Sequence, residues 1–582
     1  MASPIAMTAL VPLLLVTDGS MLRHLDQGGL SLGAHLGLPA AVALRDLAAH
    51  PGLGQVFATL TADVDEAKRA DKRSGVGMAF SHRLFDARWF RSPDVRLELV
   101  GVVNRLDRAP FGRGRCGETR LIYRLAYAKR VRGQAVASRL PMTLSLVYGQ
   151  GGDGETCQQV ATRWRGPANE AKWLLDAKGP LAQSRLETRD LLAVEVNLQR
   201  ARWPSTVRPE LGGHAEYVLR VFRPGPDGAW QPAPLENTPD VDKLQQDAKL
   251  RAELRAWLGS PAELQRIDQG IAMLPERFLA TRALSVAPRG LARLANRPFA
   301  QLFPPPSLHG IDLAATRLGT PTGLVRRLDG LTCAGCHESR SVAGFHVLGE
   351  DPVSMRADAL AAAISPHLAE DLPRRAAFAT AVANGTAPAH ARSPAERPGV
   401  VEGQPAGGYG AHCGLGDAAF AAWTCDAGLT CRAIDDPDVG QCLPTTVGIG
   451  DACQPGLVRA SVDPHQDGVT SREIACKGGG YCETSRVGFP GGMCANHCTA
   501  AALREPGARC GAIPSLVAFN RCLALRLPFA DCVANNARPA AVRGCSDTQA
   551  CRDDYVCART GGREGVCMPP YFLFQLRVDG HP

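Results

Sequence analysis

The first half of the chain is dominated by stretches in which apolar and polar residues alternate. Alternation with a period of two is typical of strands that bury one face. It occurs in the segments 96–106, 120–128, 142–148, 192–199 and 216–222. Short polar connections join the first three segments, which favours antiparallel pairing. The pattern predicts an α+β N-terminal domain, residues 1–235, built on an antiparallel sheet.

Helical spacing of apolar residues takes over towards the centre of the chain. Segments 39–49 and 168–178 are predicted to be helices that accompany the sheet. Further helices are predicted at 250–258, 262–273, 356–364 and 373–384. This second group predicts a small, mostly α domain over residues 236–385. Residues 386–412 are rich in Pro, Gly and Ala, so we interpret them as a linker.

Cysteine is distributed unevenly along the chain, and this distribution is the most informative feature of the composition. Sixteen of the 20 cysteines lie between positions 413 and 567. Such a density marks a disulfide-rich region with too little hydrophobic core to fold by burial alone. A C-x5-C pair followed by a third cysteine recurs three times, and the sixteen divide into four units of four. We expect two bridges in each unit of a small-module region, 413–570, with the connectivity left open.

Zinc is the alternative ligand for these cysteines. Zinc knuckles favour C-x2-4-C pairs, and in this region only Cys494 and Cys498 come near that spacing. Disulfides are therefore favoured. The repeats resemble short cysteine-rich modules at the ends of bacterial secreted proteins and, loosely, the colipase-like modules of animal secreted ligands. That resemblance implies a binding or spacing role.

The disulfide-rich region predicts an extracytoplasmic protein that is periplasmic, lipid-anchored or secreted. The apolar run 5–16 lacks the basic residues and the cleavage site of a signal peptide, so it is read either as a signal or as a first strand. No run reaches the eighteen or so apolar residues of a membrane span. The net charge of +8 is spread along the chain, which argues against a nucleic-acid-binding protein. Association with a membrane or cell surface stays open.

The central motif Cys333-Ala334-Gly335-Cys336-His337 has the C-x-x-C-H pattern of covalent haem attachment. Two thiols at this spacing add to the vinyl groups of haem, and the next histidine supplies an axial imidazole. We therefore expect one haem c, held by both cysteines, with His337 as proximal ligand and metal-binding residue. A thioredoxin-like dithiol, half of a zinc site and a chance pair are the alternatives.

The second axial ligand is less constrained by the sequence. His346 and Met355 follow the motif and are the candidates for the distal position. A second imidazole would lower the reduction potential and a thioether would raise it. His309 and His367 also flank the motif. An open distal position is the further alternative.

Several stretches of the chain resemble bacterial exported proteins that carry a single C-x-x-C-H. The resemblance rests on NRLDRAP with CGETRLIYR, on GGHAEYVLRVF and on GLTCAGCHESRSVAGFHVLG. It implies that a c-type cytochrome domain accompanies the sheet domain, and it implies no particular reaction.

Two remaining features belong to the N-terminal domain. Cys116 and Cys157 flank the second and third predicted strands and are predicted to form a disulfide. Asn104, Arg105 and Asp107 lie at the end of the first strand, and we interpret them as a strand-end turn with a buried ion pair, with binding of a polar ligand as the alternative. No zinc-protease, serine-hydrolase or nucleotide-binding motif occurs.

The hypothesis that unites these features is an extracytoplasmic c-type cytochrome-like protein that transfers electrons to an unknown redox partner protein. A haem oxidoreductase is the variant in which the distal position is open. The alternative is a cell-surface or secreted binding or adhesion protein in which the C-x-x-C-H is structural or metal-binding.

Overall fold

A computed structural model describes the chain between residues 11 and 580, with internal gaps. The residues outside this description are 1–10, 41, 78, 81, 112–115, 132, 153, 167–170, 188–189, 203–214, 227, 288–292, 339, 350–361, 398–406, 435, 454–455, 460–467, 472, 484–490, 515–517, 519–520, 523–528, 547, 554, 560–563, 571–577 and 581–582. Met355 and most of the predicted helix 356–364 therefore lie outside the described residues.

A ten-stranded sheet organises the first half of the chain. Its strands are β1 (Leu15–Val16), β2 (Ser74–Gly75), β3 (His82–Leu84), β4 (Val95–Arg105), β5 (Glu118–Val131), β6 (Gln134–Gly149), β7 (Leu191–Arg202), β8 (Ala215–Pro224), β9 (Trp230–Ala233) and β10 (Ala283–Ala287). The path β1-β4-β5-β6-β7-β3-β2 forms the body, and β8 pairs with β7, β9 and β10. All of these pairs are antiparallel except β2 with β3. The predicted antiparallel sheet is confirmed.

The two faces of the sheet differ in chemistry because successive side chains on a strand point to opposite sides. On β5, Leu121, Tyr123 and Leu125 belong to the main hydrophobic core, whereas Arg120 and Ile122 line a cavity on the other side. The same alternation continues along β6 and β7. One face is thus a conventional core, and the other, called the polar face below, carries charged and polar side chains among apolar ones.

Short helices and one long helix cover the apolar face. They are α1 (Gly19–Leu25), α2 (Leu32–His35), α3 (Leu44–Leu47), α4 (Pro51–Ala70) and, after α5 (Cys157–Arg163), α6 (Ala171–Leu175). Helix α5 itself packs against the later helix Pro366–Ala383. Helix α4 begins with His50 as N-cap, whose Nδ1 accepts the N–H of Gly52 at 3.2 Å, and with Pro51 in its first turn. Its residues Leu53, Val56 and Leu60 recur at helical spacing and are buried. The segment predicted as the helix 39–49 contains only the single turn α3.

The polar face of the sheet is covered by the central part of the chain. This part contains α7 (Val241–Gln246), α8 (Ala248–Leu258), α9 (Pro261–Gln269), α10 (Pro298–Leu302), α11 (Pro321–Leu331), α12 (Cys333–Glu338) and α13 (Pro366–Ala383). The described residues contain seven helices here, more than the four predicted, and they do not show a self-contained cytochrome c-like domain. Strand β10 lies within 236–385 and pairs with β8, so the central part completes the N-terminal sheet.

The first described stretch of the predicted linker, 386–397, lies against the central helices. The N–H of Arg392 donates to the carbonyl of Gln269 at 2.8 Å, and Arg327 donates to the carbonyl of Arg392. Glu396 pairs with Arg326 at 2.9 Å. This stretch is therefore packed rather than free in solution.

The C-terminal region consists of small sheets joined by disulfides. Its elements are β11 (His412–Gly414), β12 (Leu429–Ala433), β13 (Val439–Pro444), β14 (Gly456–Arg459), β15 (Gly468–Ser471), β16 (Tyr481–Glu483), β17 (Met493–Ala495), β18 (Ala508–Pro514), α14 (Phe529–Asn536), β19 (Ala537–Cys545), β20 (Val556–Arg559) and β21 (Gly565–Met568). The region is docked on the central part, since Asp553 pairs with Arg340 at 3.3 Å and Val556 packs with Tyr217 and Phe345.

Every bridge of this region lies within one of the four predicted units. The bridges are Cys413–Cys431, Cys425–Cys442, Cys453–Cys482, Cys476–Cys494, Cys498–Cys510, Cys522–Cys532, Cys545–Cys557 and Cys551–Cys567. Three units pair their first cysteine with the third and their second with the fourth, whereas the third unit pairs neighbours. The predicted disulfide-rich region is confirmed.

Candidate haem-attachment site

The C-x-x-C-H motif forms the start of helix α12. Thr332 caps it: its hydroxyl accepts the N–H of Gly335 at 3.0 Å and donates to the carbonyl of Asp329 at 2.7 Å. A Cβ at position 335 would lie 2.1 Å from that same carbonyl, so no other residue fits there. Cys333 and Cys336 are three residues apart on the helix and therefore lie on one face.

These two are the only cysteines of the chain without a disulfide partner. Eighteen of the 20 cysteines, Cys116 and Cys157 among them, are bridged, while Cys333 and Cys336 are unbridged and both line the cavity on the polar side of the sheet. In an oxidising compartment the thiols of a C-x-x-C pair would normally close into a disulfide. Two separate thiols facing a large cavity are what covalent attachment of a ligand requires.

The two thiols differ in their surroundings. Burial raises the pKa of Cys333 to about 12, and its N–H donates to Thr238 at 2.9 Å. Burial also acts to raise the pKa of Cys336, but hydrogen bonds from His346 and His367 hold it well below its ordinary value. The Sγ of Cys336 lies 3.8 Å from Nε2 of His346. Cys336 is therefore the more readily ionised of the pair.

The protonation of His337 is determined by four connected hydrogen bonds. Asn296 is oriented by Val286, whose N–H donates to Oδ1 at 2.8 Å and whose carbonyl accepts from Nδ2 at 2.7 Å. The hydroxyl of Ser285 must then donate to Oδ1 of Asn296, at 2.9 Å. The oxygen of Ser285 is left to accept from Nδ1 of His337, also at 2.9 Å. Nδ1 consequently carries the proton, and Nε2 keeps a lone pair.

The ring of His337 is buried, and burial lowers its pKa to about 3. The imidazole is therefore neutral at physiological pH. Its Nε2 has no hydrogen-bond partner among the described residues. An imidazole held through one ring nitrogen, with the other free, is the usual arrangement of a metal-ligating histidine.

A glycine lies beside the free nitrogen. Gly344 adopts a φ of +83°, and a Cβ at this position would lie 2.5 Å from Nε2 of His337. The carbonyl of Gly344 accepts from Asn197 at 2.8 Å, and its N–H donates to Ser341 at 3.0 Å. The ring of Tyr217 lies 4.6 Å from the imidazole, centroid to centroid. Side chains are thus kept away from Nε2 by a turn that requires glycine.

The three other histidines that flank the motif in sequence, His309, His346 and His367, differ in their surroundings. Both ring nitrogens of His346 are engaged, with Nε2 donating to the carbonyl of Cys336 at 2.8 Å and Nδ1 accepting from Ser365 at 2.8 Å. His367, at the start of α13, lies 4.9 Å from His346, centroid to centroid. His309 does not line the cavity. As a distal ligand, His346 would have to give up one of its two bonds.

The cavity between the sheet and the central helices measures about 1060 Å³. This is at the upper end of the usual range of about 300–1,000 Å³ for small-molecule and cofactor sites. The motif forms one wall, and β5, β6 and β7 form another. Its size, its two unbridged thiols and the free nitrogen of His337 together fit a covalently attached haem.

Charged side chains line the rest of the cavity in two groups. Near Cys333 the carboxylates prevail: Glu118 and Glu195 share Arg120, at 2.9 and 2.7 Å, and Glu236 accepts from Arg108 at 2.9 Å. At the other end, arginines prevail around the turn that follows β4. The Arg105–Asp107 ion pair expected at that turn is present, at 2.8 Å, and Asp107 is buried.

Three groups of cysteines in the C-terminal region have sulfur atoms within 4.8 Å of one another. All of these sulfurs belong to disulfides, so none is available as a thiolate ligand. No helix among the described residues is long and apolar enough to cross a bilayer. Comparison of the chain with protein-family models, with curated proteins and with solved structures found no match.

The motif, its histidine and the Cys116–Cys157 bridge were accessible to sequence reasoning. Ser285 and Asn296 were not, because they precede the motif by about fifty and forty residues in segments without a pattern of their own. The polar residues of the sheet gave a partial signal. Arg120 and Glu118 sit where a strand with one buried face places polar side chains, but the alternation does not reveal that this face borders a cavity.

Proposed function

We propose that the protein is an extracytoplasmic c-type cytochrome-like protein that carries one haem and transfers electrons. The observation that carries the proposal is the state of the C-x-x-C-H motif. Its two thiols are unbridged beside a cavity of about 1060 Å³, and the hydrogen bonds behind His337 leave the lone pair of Nε2 free.

Each residue of the motif has a separate task in this proposal. Cys333 and Cys336 would hold the haem through two thioether bonds, each formed by addition of an S–H to a vinyl group, so that no group leaves. His337 would hold the iron through Nε2, and Ser285 keeps the imidazole in the tautomer that this requires. When bound, haem supplies reversible one-electron chemistry. The surrounding protein excludes bulk water from the imidazole, because His337 is buried between Ser285 and Tyr217.

His346 and Met355 remain the proposed distal ligands. His346 lies beside Cys336 and is the nearer in sequence. His367 is a third candidate, because its ring lies beside that of His346. If the distal position is open, the same site would support a haem oxidoreductase.

The disulfides support the proposed location. Nine bridges are typical of a protein that folds in an oxidising compartment. Covalent attachment of haem outside the cytoplasm would also explain why Cys333 and Cys336 are spared from bridging.

A metal-binding site in a surface or secreted binding protein is the second candidate. The contact between Cys336 and His346, at 3.8 Å, favours it, since thiolate and imidazole are common zinc ligands. In that case the purified protein would contain zinc and no haem.

Mass spectrometry of the full chain tests the proposal. The protein would be expressed with and without the c-type maturation machinery and digested. We expect the peptide that contains Cys333 and Cys336 to gain the mass of one haem only when the machinery is present. The double variant C333S/C336S should lose this gain, whereas C116S/C157S should keep it, because that bridge lies outside the motif. An unmodified motif peptide under all conditions would refute the proposal.

A further inference from the structure

The arginine-rich end of the cavity has more positive charge than its own carboxylates neutralise. Helix α13 brings Asp371, Arg374 and Arg375 to the turn of Arg105 and Asp107. Arg392, from the packed stretch after α13, lines the same end. The guanidinium groups of all four arginines line the cavity together with the carboxylate of Asp371, and Asp107 pairs with Arg105 and Arg374 from outside the lining. Within this cluster, four positive charges are thus set against two negative ones.

The ion pairs leave two of these arginines incompletely satisfied. Arg374 bridges Asp371 and Asp107 at 2.6 and 2.8 Å. Arg375 reaches Asp371 only through Nε, at 2.7 Å, and its terminal nitrogens form no hydrogen bond within the described residues. The guanidinium of Arg392 forms neither an ion pair nor a hydrogen bond there.

Burial and the nearby Arg105 lower the pKa of Arg375 to about 10, and burial also lowers that of Arg392. Both pKa values are lowered, as expected for cations that have too few carboxylates nearby to neutralise them. Unpaired charges removed from bulk water are costly, and an anion is the group that offsets the cost. Planar guanidinium forks bind carboxylates through two parallel hydrogen bonds. The feature therefore favours an anionic ligand with paired oxygens, such as a carboxylate.

We propose that Arg375 and Arg392, supported by Arg105, form a binding site for a pair of carboxylates. Two sources share this chemistry: the propionates of a haem held at the motif, in which case the site rests on the function proposed above, and a free dicarboxylate. The position suits the first source. His367 and Arg375 are eight residues apart on α13, about 12 Å along the helix, so one helix joins the motif to the arginines.

Calorimetric titration of the full chain with succinate tests the site, with acetate as the monocarboxylate control. The titrated form is C333A/C336A, which cannot attach haem. We expect succinate to bind and acetate to bind at least tenfold more weakly. Adding R375Q and R392Q should weaken succinate binding about ten- to a hundredfold, because charge-assisted hydrogen bonds are lost. Adding R223Q instead should leave succinate binding unchanged. Arg223 lines the same cavity, but its charge is already paired with Glu276 at 2.8 Å.

A thermal measurement separates loss of binding from loss of fold. R392Q removes a cation that forms no ion pair, so the variant protein should unfold at the same temperature as the parent or at a higher one. Succinate should no longer raise the unfolding temperature of this variant. The haem-loaded protein then identifies the source. Failure of succinate to bind it would assign the site to the propionates, and continued binding would assign it to a free dicarboxylate.

The proposal is overturned if succinate does not bind the haem-free chain, or if R375Q/R392Q binds it as tightly as the parent does. Neither result depends on haem attachment. A protein that never acquires haem but binds succinate through these arginines would refute the proposed function and leave the carboxylate site standing.

Discussion

Replacing Ser285 by Ala tests the hydrogen-bond chain behind the proposed haem ligand. The hydroxyl of Ser285 is the acceptor for Nδ1–H of His337, at 2.9 Å, and both residues are buried. Alanine leaves this N–H without a partner or lets the proton move to Nε2, which blocks ligation. An unsatisfied buried donor costs about 1–3 kcal/mol. That free energy corresponds to roughly one to two units in the pH at which protonation displaces the ligand.

The assay is an acid titration of the haem-loaded protein followed by its Soret maximum. Protons compete with iron for Nε2, so a weaker iron–histidine bond is lost at higher pH. We expect the midpoint of the acid transition to rise by about one to two pH units in S285A. S365A is the matched control, because it removes a buried hydroxyl bonded to His346 at 2.8 Å and leaves His337 untouched.

An unchanged midpoint in S285A would refute the role given to Ser285 and the tautomer assigned to His337. A midpoint that moves in S365A but not in S285A would identify His346 as the ligand that acid displaces. Thermal unfolding of both variants in the haem-free form shows whether the substitutions disturb the fold itself.

Three further substitutions have defined outcomes. G344A should abolish ligation by His337, since the Cβ of the new alanine would lie 2.5 Å from Nε2 of that histidine. G310A is the control: Gly310 also has a positive φ, of +89°, but a Cβ there would meet no atom within 4 Å, so only stability should change, and equal spectra of the two variants would contradict this. Burial raises the pKa of Asp329 to about 7, so ionisation of this carboxyl destabilises the fold as the pH rises from about 4 to 7. D329N should therefore unfold at a higher temperature than the parent at pH 8 but not at pH 4. C116S/C157S opens a loop with a sequence separation of 41 and should lower the free energy of unfolding in denaturant by about 4 kcal/mol; a loss below 1 kcal/mol would contradict the chain-entropy argument.

The strands could be predicted because their pattern is local. Five alternating segments became β4, β5, β6, β7 and β8; β4 is shifted by one residue from its pattern, and the other four strands are longer than theirs at both ends. Strand β10 could not be predicted: Ala283–Ala287 is short and lacks alternation, and it forms because β8 offers a free edge. That tertiary pairing is also what joins the central part to the sheet.

Helix α13 shows how two valid signals compete. Pro366 and Pro373 both suit the first turn of a helix, and the prediction began the helix at Pro373. The structure begins it at Pro366, because Ser365 supplies the N-cap and accepts the N–H of Leu368 at 3.2 Å. Pro373 is thereby placed inside the helix. The earlier start carries His367 to the motif, so the missed turn was part of the site.

The proposed function depends on covalent attachment of haem at the C-x-x-C-H motif. The most direct measurement is the absorption spectrum of the full chain, purified after expression with c-type maturation machinery, before and after extraction with acidified acetone. We expect a Soret band that stays with the protein after extraction. A colourless protein with a Cys333–Cys336 disulfide, or one with bound zinc, would contradict it.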